Sequence, residues 1–304
     1  MGIVTALVAA YLLGWQAGPV LSRAAWPWRR PAVAVALWAS LLAAFLAVLA
    51  TLITLTFALP PGPLHTWVEH LRSCVPGHTH SGEYVTLAVA LLVGAAVARL
   101  SHRGLARARR TAADRKRHHE MVRLVETHPA DPADVCLIAY DLPLVYCLAR
   151  RHRPIVMTTG TLSHLDTAQL EAVLEHERAH LRHRHHFLLG AVDTVHAALP
   201  WPPVVRLAAK ALPELVEMAA DDAAAHRCGA ANVAQALQRL ALAPCADEGL
   251  AIGAGAQRRL DRRIERLESG ACPPRVVGWR AEIALLAAPL CGVGAAVLGV
   301  LLSC

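Results

Sequence analysis

The chain has 304 residues, with 30 Lys and Arg against 23 Asp and Glu for a net charge of +7, and 55% of it is hydrophobic while 17% is charged. With a mean hydropathy of +0.39 it is too apolar for an ordinary soluble domain and too mixed for a bundle of membrane helices alone, so part of it is expected in lipid and part outside. Eight cysteines with no C-x-x-C pair exclude a zinc ribbon or a dithiol redox motif.

Three stretches carry no charge, residues 2–22, 32–59 and 283–304, and each is long enough to cross a bilayer, which takes about 20 residues. Residues 84–98 are shorter and make a further span if Arg99 snorkels. A cleaved signal peptide is the alternative for the first stretch; the missing basic residue ahead of it and its long uncharged run speak against that. Lys and Arg collect at Arg23, Arg29 and Arg30, then from Arg99 to Arg117, then at Arg275 and Arg280, while residues 60–83 hold only Arg72. The positive-inside rule then places both termini and residues 60–83 outside a plasma membrane, and residues 101–281 in the cytoplasm. The expected architecture is a mainly α multi-pass membrane protein: a three-span region over 1–100, a cytosolic α+β zincin-like metalloprotease domain over 101–281, and a fourth transmembrane helix over 282–304.

On that topology Cys136, Cys147, Cys228, Cys245 and Cys272 are reduced, and only Cys74 and Cys304 lie outside. The basic run 103–119 follows directly on a span, so its expected partner is the anionic lipid of the bilayer rather than nucleic acid. The exterior loop holds His65, His70, His78 and His80, at a spacing that fits no usual ligand pattern. A polar helix over 103–127 ends at Pro129 and Pro132, and β-branched and aromatic runs at 135–139, 143–149 and 155–159 read as a small hairpin-like sheet. An edge of that sheet could hold an extended peptide by main-chain hydrogen bonds.

Asp166 followed by Gln169 has the spacing of a capping box, and Leu170, Val173, Leu174 and Leu181 give the next helix a buried stripe with no Gly or Pro before Gly190. Inside it stands His176-Glu177-Arg178-Ala179-His180, a pattern that a chain of this composition yields by chance about 0.04 times. Two histidines four apart lie about 40° from each other around a helix, so both imidazoles reach one Zn2+, and Glu177 beside the first can take a proton from a water that the ion acidifies. A semi-apolar stretch, 187–212, contains Leu199-Pro-Trp-Pro-Pro203, is too short for two crossings, and could dip into the membrane surface through Trp201, which the sequence leaves open. Glu217 and Asp221 share a face of the next helix, Glu217 as third ligand and Asp221 behind it, orienting a ligand histidine. Glu214 and Asp222 read as surface charges on that helix. The rival third ligand is His186, ten residues after His176, but His183 stands where that pattern needs a turn-making Gly, so His183, His185 and His186 read as polar helix surface.

The ordered set of three spans, a basic segment, Val145-Tyr146-Cys147-Leu148, Ile155-Val-Met-Thr-Thr-Gly160, His176-Glu-Arg-Ala-His180, Glu217-x-x-x-Asp221 and a closing span resembles the BlaR/MecR-type membrane zinc metalloproteases. The resemblance implies His176, His180 and Glu217 as ligands of one zinc per chain, Glu177 as catalytic base, a gluzincin-like domain, and cleavage of itself or of a cytosolic DNA-binding repressor in signalling. The penicillin-binding sensor domain of β-lactam-sensing members is not found after the last span. The related Ste/HtpX-type quality-control proteases share both zinc motifs. Two other classes stay open: a non-catalytic zinc-binding receptor or scaffold, and a metal transporter suggested by 17 histidines, none of which lies in the expected spans. Tyr140, Tyr146 and His226 are the candidates for stabilising an oxyanion.

Overall fold

The computed structural model describes residues 2–58, 81–125, 128–129, 134–148, 154–242 and 254–270. The expected fourth span, most of the exterior loop with its four histidines, and Cys74, Cys245, Cys272 and Cys304 lie outside these residues. The chain opens with α1 (Gly2–Tyr11), a π-helical stretch (Leu12–Ala17) and α2 (Gly18–Arg23), which run on without a non-helical break until Ala24 turns extended. A short turn at Trp26–Trp28 leads into α3 (Pro31–Ala58). Among the described residues α3 is the one helix long and apolar enough to cross a membrane, over Pro31–Leu52. The stretch expected as a third span forms the start of α4 (Ser81–Val125), a 45-residue helix whose later turns carry the basic run.

α3 is also a packing element. Ala34, Trp38, Leu41, Phe45 and Val48 are buried at alternating steps of four and three, the seam of a helix lying along its neighbours. Its partners are Leu21 of α2 together with α7 (His185–Ala198) and α8 (Pro203–Cys228), which contribute Val192 and Val204, Val205, Ala208, Leu212 and Leu215. Most of the apolar side chains of 187–212 thus join a helix–helix core, while Phe187 and Trp201 stand exposed, Trp201 at the α7–α8 turn. Gly18 permits the approach of α2 to α8, since a Cβ there would lie 2.9 Å from Val204 Cα. Arg107 of α4 pairs with Asp193 of α7 at 2.7 Å and ties the basic helix to the same bundle.

The β-branched runs form a four-stranded sheet in the order β1 (His128–Pro129), β2 (Val135–Ile138), β4 (Ile155–Thr158), β3 (Val145–Cys147). The hairpin expectation holds for β3 and β4, which are antiparallel; β2 instead pairs parallel with β4, which is buried along its whole length between them. This crossover brings the loop after β2 directly over the start of α5 (Thr159–His164). Gly160 N donates to Tyr140 O at 2.8 Å, and a Cβ at Gly160 would fall 2.0 Å from Asp141 O, so only glycine fits there. Thr158 Oγ1 donates to Leu142 O at 2.7 Å and fixes the loop.

One face of the sheet, Val135, Ile155 and Met157 with Leu137 and Val145, packs on Leu174 of α6 (Thr167–Arg182). The capping box is formed: Asp166 Oδ1 accepts from Gln169 N at 3.0 Å and Asp166 N donates to Gln169 Oε1 at 3.3 Å. Contrary to the expectation of an unbroken helix to Gly190, α6 stops at Arg182. Arg184 takes the left-handed conformation (φ 52°) without being glycine, and α7 starts at once with His185. α8 crosses α6 and is followed by α9 (Ala230–Leu242) and α10 (Ala254–Glu268). Arginines of α10 meet carboxylates of α8 in sequence: Arg262 to Glu214 at 2.7 Å, Arg263 to Asp221 at 2.7 Å, and Arg266 to Asp222 at 2.7 Å. Glu214 and Asp222 are therefore not surface charges; Asp222 is buried at 7% exposure because its arginine neutralises it there.

Candidate metal centre

α6 and α8 bring His176, His180 and Glu217 together, with one ligating atom from each lying within 4.8 Å of the others. His176 Nε2 is 3.1 Å from His180 Nε2, and the two are each 3.5 Å from an oxygen of Glu217. Ligands about 2.0–2.1 Å from a tetrahedral zinc are separated by about 3.3 Å along each edge, so this donor set fits Zn2+ in both spacing and chemistry. Four-residue spacing on a rigid helix supplies two corners of that triangle, and the crossing of α8 supplies the third. His186, the rival third ligand, is not in the group.

Asp221, one turn beyond Glu217 and 1% exposed, places Oδ1 3.0 Å from His176 Nδ1, so the imidazole atom turned away from Glu217 is held by a carboxylate. Burial disfavours a charge on His176, but the hydrogen bonds to Asp221 and Glu217 outweigh it and lift its pKa to about 9. His180 moves the other way, to about 4, through burial and the positive charge of His176. Burial would raise Glu217, yet His176 and Arg263 hold it down to about 2. Asp221 is held well below the carboxylate range: burial opposes this, and the two-point pair with Arg263 overrides it.

Glu177 sits in contact with β3. Burial pushes its carboxyl upward, opposed by the charge of His176 and by hydrogen bonds from the thiol and main-chain N–H of Cys147. The Cys147 thiol is itself raised to about 12, by burial first and then by Glu177, and so stays a neutral donor. Register explains the contact. Leu148 N bonds to Pro154 O and Thr158 N to Leu144 O, so the even residues of β3 face β4 through their main chain, and Cys147 turns its N–H to the other side. Tyr146 points to the opposite face of the sheet, packed with Cys136 and Val156 rather than against α6. Tyr140 is half-exposed, with its main chain bound to Thr159 and Gly160.

Two contributors were not legible beforehand. Arg263 lies far along the chain in an arginine-rich helix, and its partners appear only once α10 docks on α8. His185, which the sequence places on the helix surface, is instead 5% exposed, with Nδ1 3.1 Å from His180 Nδ1.

Comparison with known proteins reaches part of this region. The chain is 34% identical over 79 residues to a protein named Protease HtpX homolog from Acidiphilium cryptum (strain JF-5), a match that covers 25% of this chain and 28% of that relative. The chain thus matches a little over a quarter of the relative's length. No solved structure is significantly similar to it. Residues 129–201, which hold β2, β3 and β4, the capping box and the His176–His180 pair but end before Glu217, match the family described as Peptidase family M48.

Proposed function

We propose that this chain is an integral membrane zinc metalloendopeptidase that hydrolyses peptide bonds of a cytosolic or membrane-associated protein. The observation that carries the reading is the convergence of His176 and His180 from α6 with Glu217 from α8, Glu177 alongside and Asp221 behind. His176, His180 and Glu217 would hold one Zn2+, which when bound supplies Lewis-acid polarisation of the scissile carbonyl and lowers the pKa of the attacking water. Glu177 takes the proton from that water and passes it to the leaving amine. Its raised pKa suits both transfers, and Cys147 keeps the carboxylate in place with two donors. Asp221 fixes the proton of His176 on Nδ1, leaving Nε2 with its lone pair. The edge of β3 not paired with β4 is the side from which an extended substrate would enter.

In the membrane part we keep four spans, outside termini and a cytosolic domain inserted between the third and fourth; α3 is long and apolar enough to be one of these, and α7 with the first turns of α8, packed along it, would then share its depth in the bilayer. For the cellular role, a BlaR/MecR-like protease would cut a repressor or itself in signalling. The similarity to an HtpX homologue favours a second reading, a quality-control protease acting on membrane proteins. The test is proteomics of cells that carry the wild-type protein or Glu177→Gln. Fragments that require Glu177, with zinc content near one per chain in both forms, support the peptidase. Equal fragments in the two remove Glu177 from the mechanism.

A further inference from the structure

His180 faces the metal position with Nε2, the atom that approaches His176 Nε2 and Glu217, so its Nδ1 is the rear atom of the ring. An imidazole that offers its Nε2 lone pair to a metal carries its proton on Nδ1, and a buried N–H needs an acceptor. The atom within reach is Nδ1 of His185, at 3.1 Å, with the two rings close to perpendicular at 87° and their centroids 4.9 Å apart. Perpendicular rings allow an in-plane N–H of one to meet an in-plane lone pair of the other. His185 must then accept at Nδ1 and carry its own proton on Nε2.

We infer, on the basis of the zinc-site reading above, that His185 is the positioning residue for His180, fixing its tautomer and ring angle as Asp221 does for His176. Each ligand histidine thus has its own rear partner, a carboxylate for one and a neutral imidazole for the other. The backbone is shaped for this. His185 is the first residue of α7, and it reaches back over α6 because Arg184 takes a left-handed conformation that L side chains rarely adopt. A non-glycine residue is strained in that conformation, and the fold holds it there at the junction of α6 and α7. His183 stacks on the His185 ring, with centroids 5.6 Å apart and 21° between the planes, and limits its rotation.

The experiment uses the full chain in detergent and reads zinc affinity by chelator competition. His185→Leu is expected to weaken zinc binding about 10- to 100-fold, and His185→Gln, whose amide oxygen accepts a hydrogen bond, to restore it to within about threefold of wild type. Should the leucine form fail to fold, His185→Met carries the same expectation. In the zinc-loaded wild type, nitrogen-15 spectra of labelled histidine are expected to show one ligand bound through Nε2 with its Nδ1 proton shared with a second, non-ligand histidine. Leucine and methionine forms that bind zinc within about twofold of wild type overturn the inference and leave the peptidase reading standing. A wild-type chain that takes up no zinc overturns both.

Discussion

Arg263 meets Asp221 in a two-point ion pair, Nε to Oδ2 at 2.7 Å and Nη2 to Oδ1 at 2.8 Å, and its remaining Nη1 lies 3.1 Å from Glu217 Oε2. Asp221 therefore stands between an arginine on α10 and the rear nitrogen of His176, while the same arginine touches the proposed ligand carboxylate. With Asp221 at 1% and Arg263 at 14% exposure, removal of one partner strands a charge in the interior. Arg263→Met is expected to cost about 3–5 kcal/mol, seen as a lower midpoint in denaturant. A loss under about 1 kcal/mol would mean that Asp221 is adequately held by His176 alone.

The pKa of His176, lifted to about 9, has a sign that can be followed in metal uptake. At neutral pH this imidazole holds a proton in excess of its ordinary state, and a metal ion must displace it, whereas Glu217 is already ionised. Zinc affinity should thus rise with pH by about tenfold per unit through neutral pH and flatten near 9, with about one proton released per ion bound. Calorimetry in buffers of different ionisation enthalpy counts that proton. Binding that is flat between pH 6 and about 8 would show that His176 is neutral before the metal arrives.

Sequence periodicity served well where one residue pattern has one geometrical consequence. The i, i+4 histidines, the Asp166–Gln169 box and the Glu217–Asp221 pair each lie on a single helix, so spacing alone decides which face they share. It served poorly where the outcome depends on which elements meet. The runs at 135–139, 143–149 and 155–159 read only as one hairpin-like sheet, and the parallel pairing of β2 with β4 emerges from the crossover loop over Gly160. Arg184 shows no local signal, since its left-handed conformation is imposed by packing at both ends. Glu214 and Asp222 of α8 read as surface charges because their counter-ions sit more than forty residues away on α10. The apolar stripe of α3 has the composition of a membrane span, and nothing in it distinguishes lipid from the side of α8.

Gly160 offers a test of the crossover. Any side chain there meets the main chain of the loop, with a Cβ falling 2.0 Å from Asp141 O and 2.7 Å from the Leu142 carbonyl carbon. Neither atom is the end of a flexible side chain, so the loop itself must move. Gly160→Ala is expected to destabilise by about 3 kcal/mol or more, against about 1 kcal/mol for an alanine that removes only the Asp166 cap. Because the loop leads into β3, the glycine variant should also lose cleavage through displacement of Cys147 from Glu177, whereas Asp166→Ala should keep it. Comparable losses in the two variants would show that the crossover loop yields freely.

Arg184 tests the turn from the opposite direction, by relieving it. Glycine adopts a φ of 52° without the Cβ strain of about 1–2 kcal/mol, but it gives the unfolded chain about 0.5–1 kcal/mol of extra freedom. Arg184→Gly should thus gain a net of about 0.5–1 kcal/mol in denaturant unfolding and leave zinc affinity unchanged, because His185 keeps its place. Arg184→Val is the counterpart: a β-branched residue resists this conformation, so the turn opens, and zinc affinity should fall together with stability. The pairing of the two readouts is what matters, for a turn that only joins two helices would change stability and spare the metal. If the valine form lost stability at unaltered zinc affinity, the reversal at Arg184 would serve the fold alone.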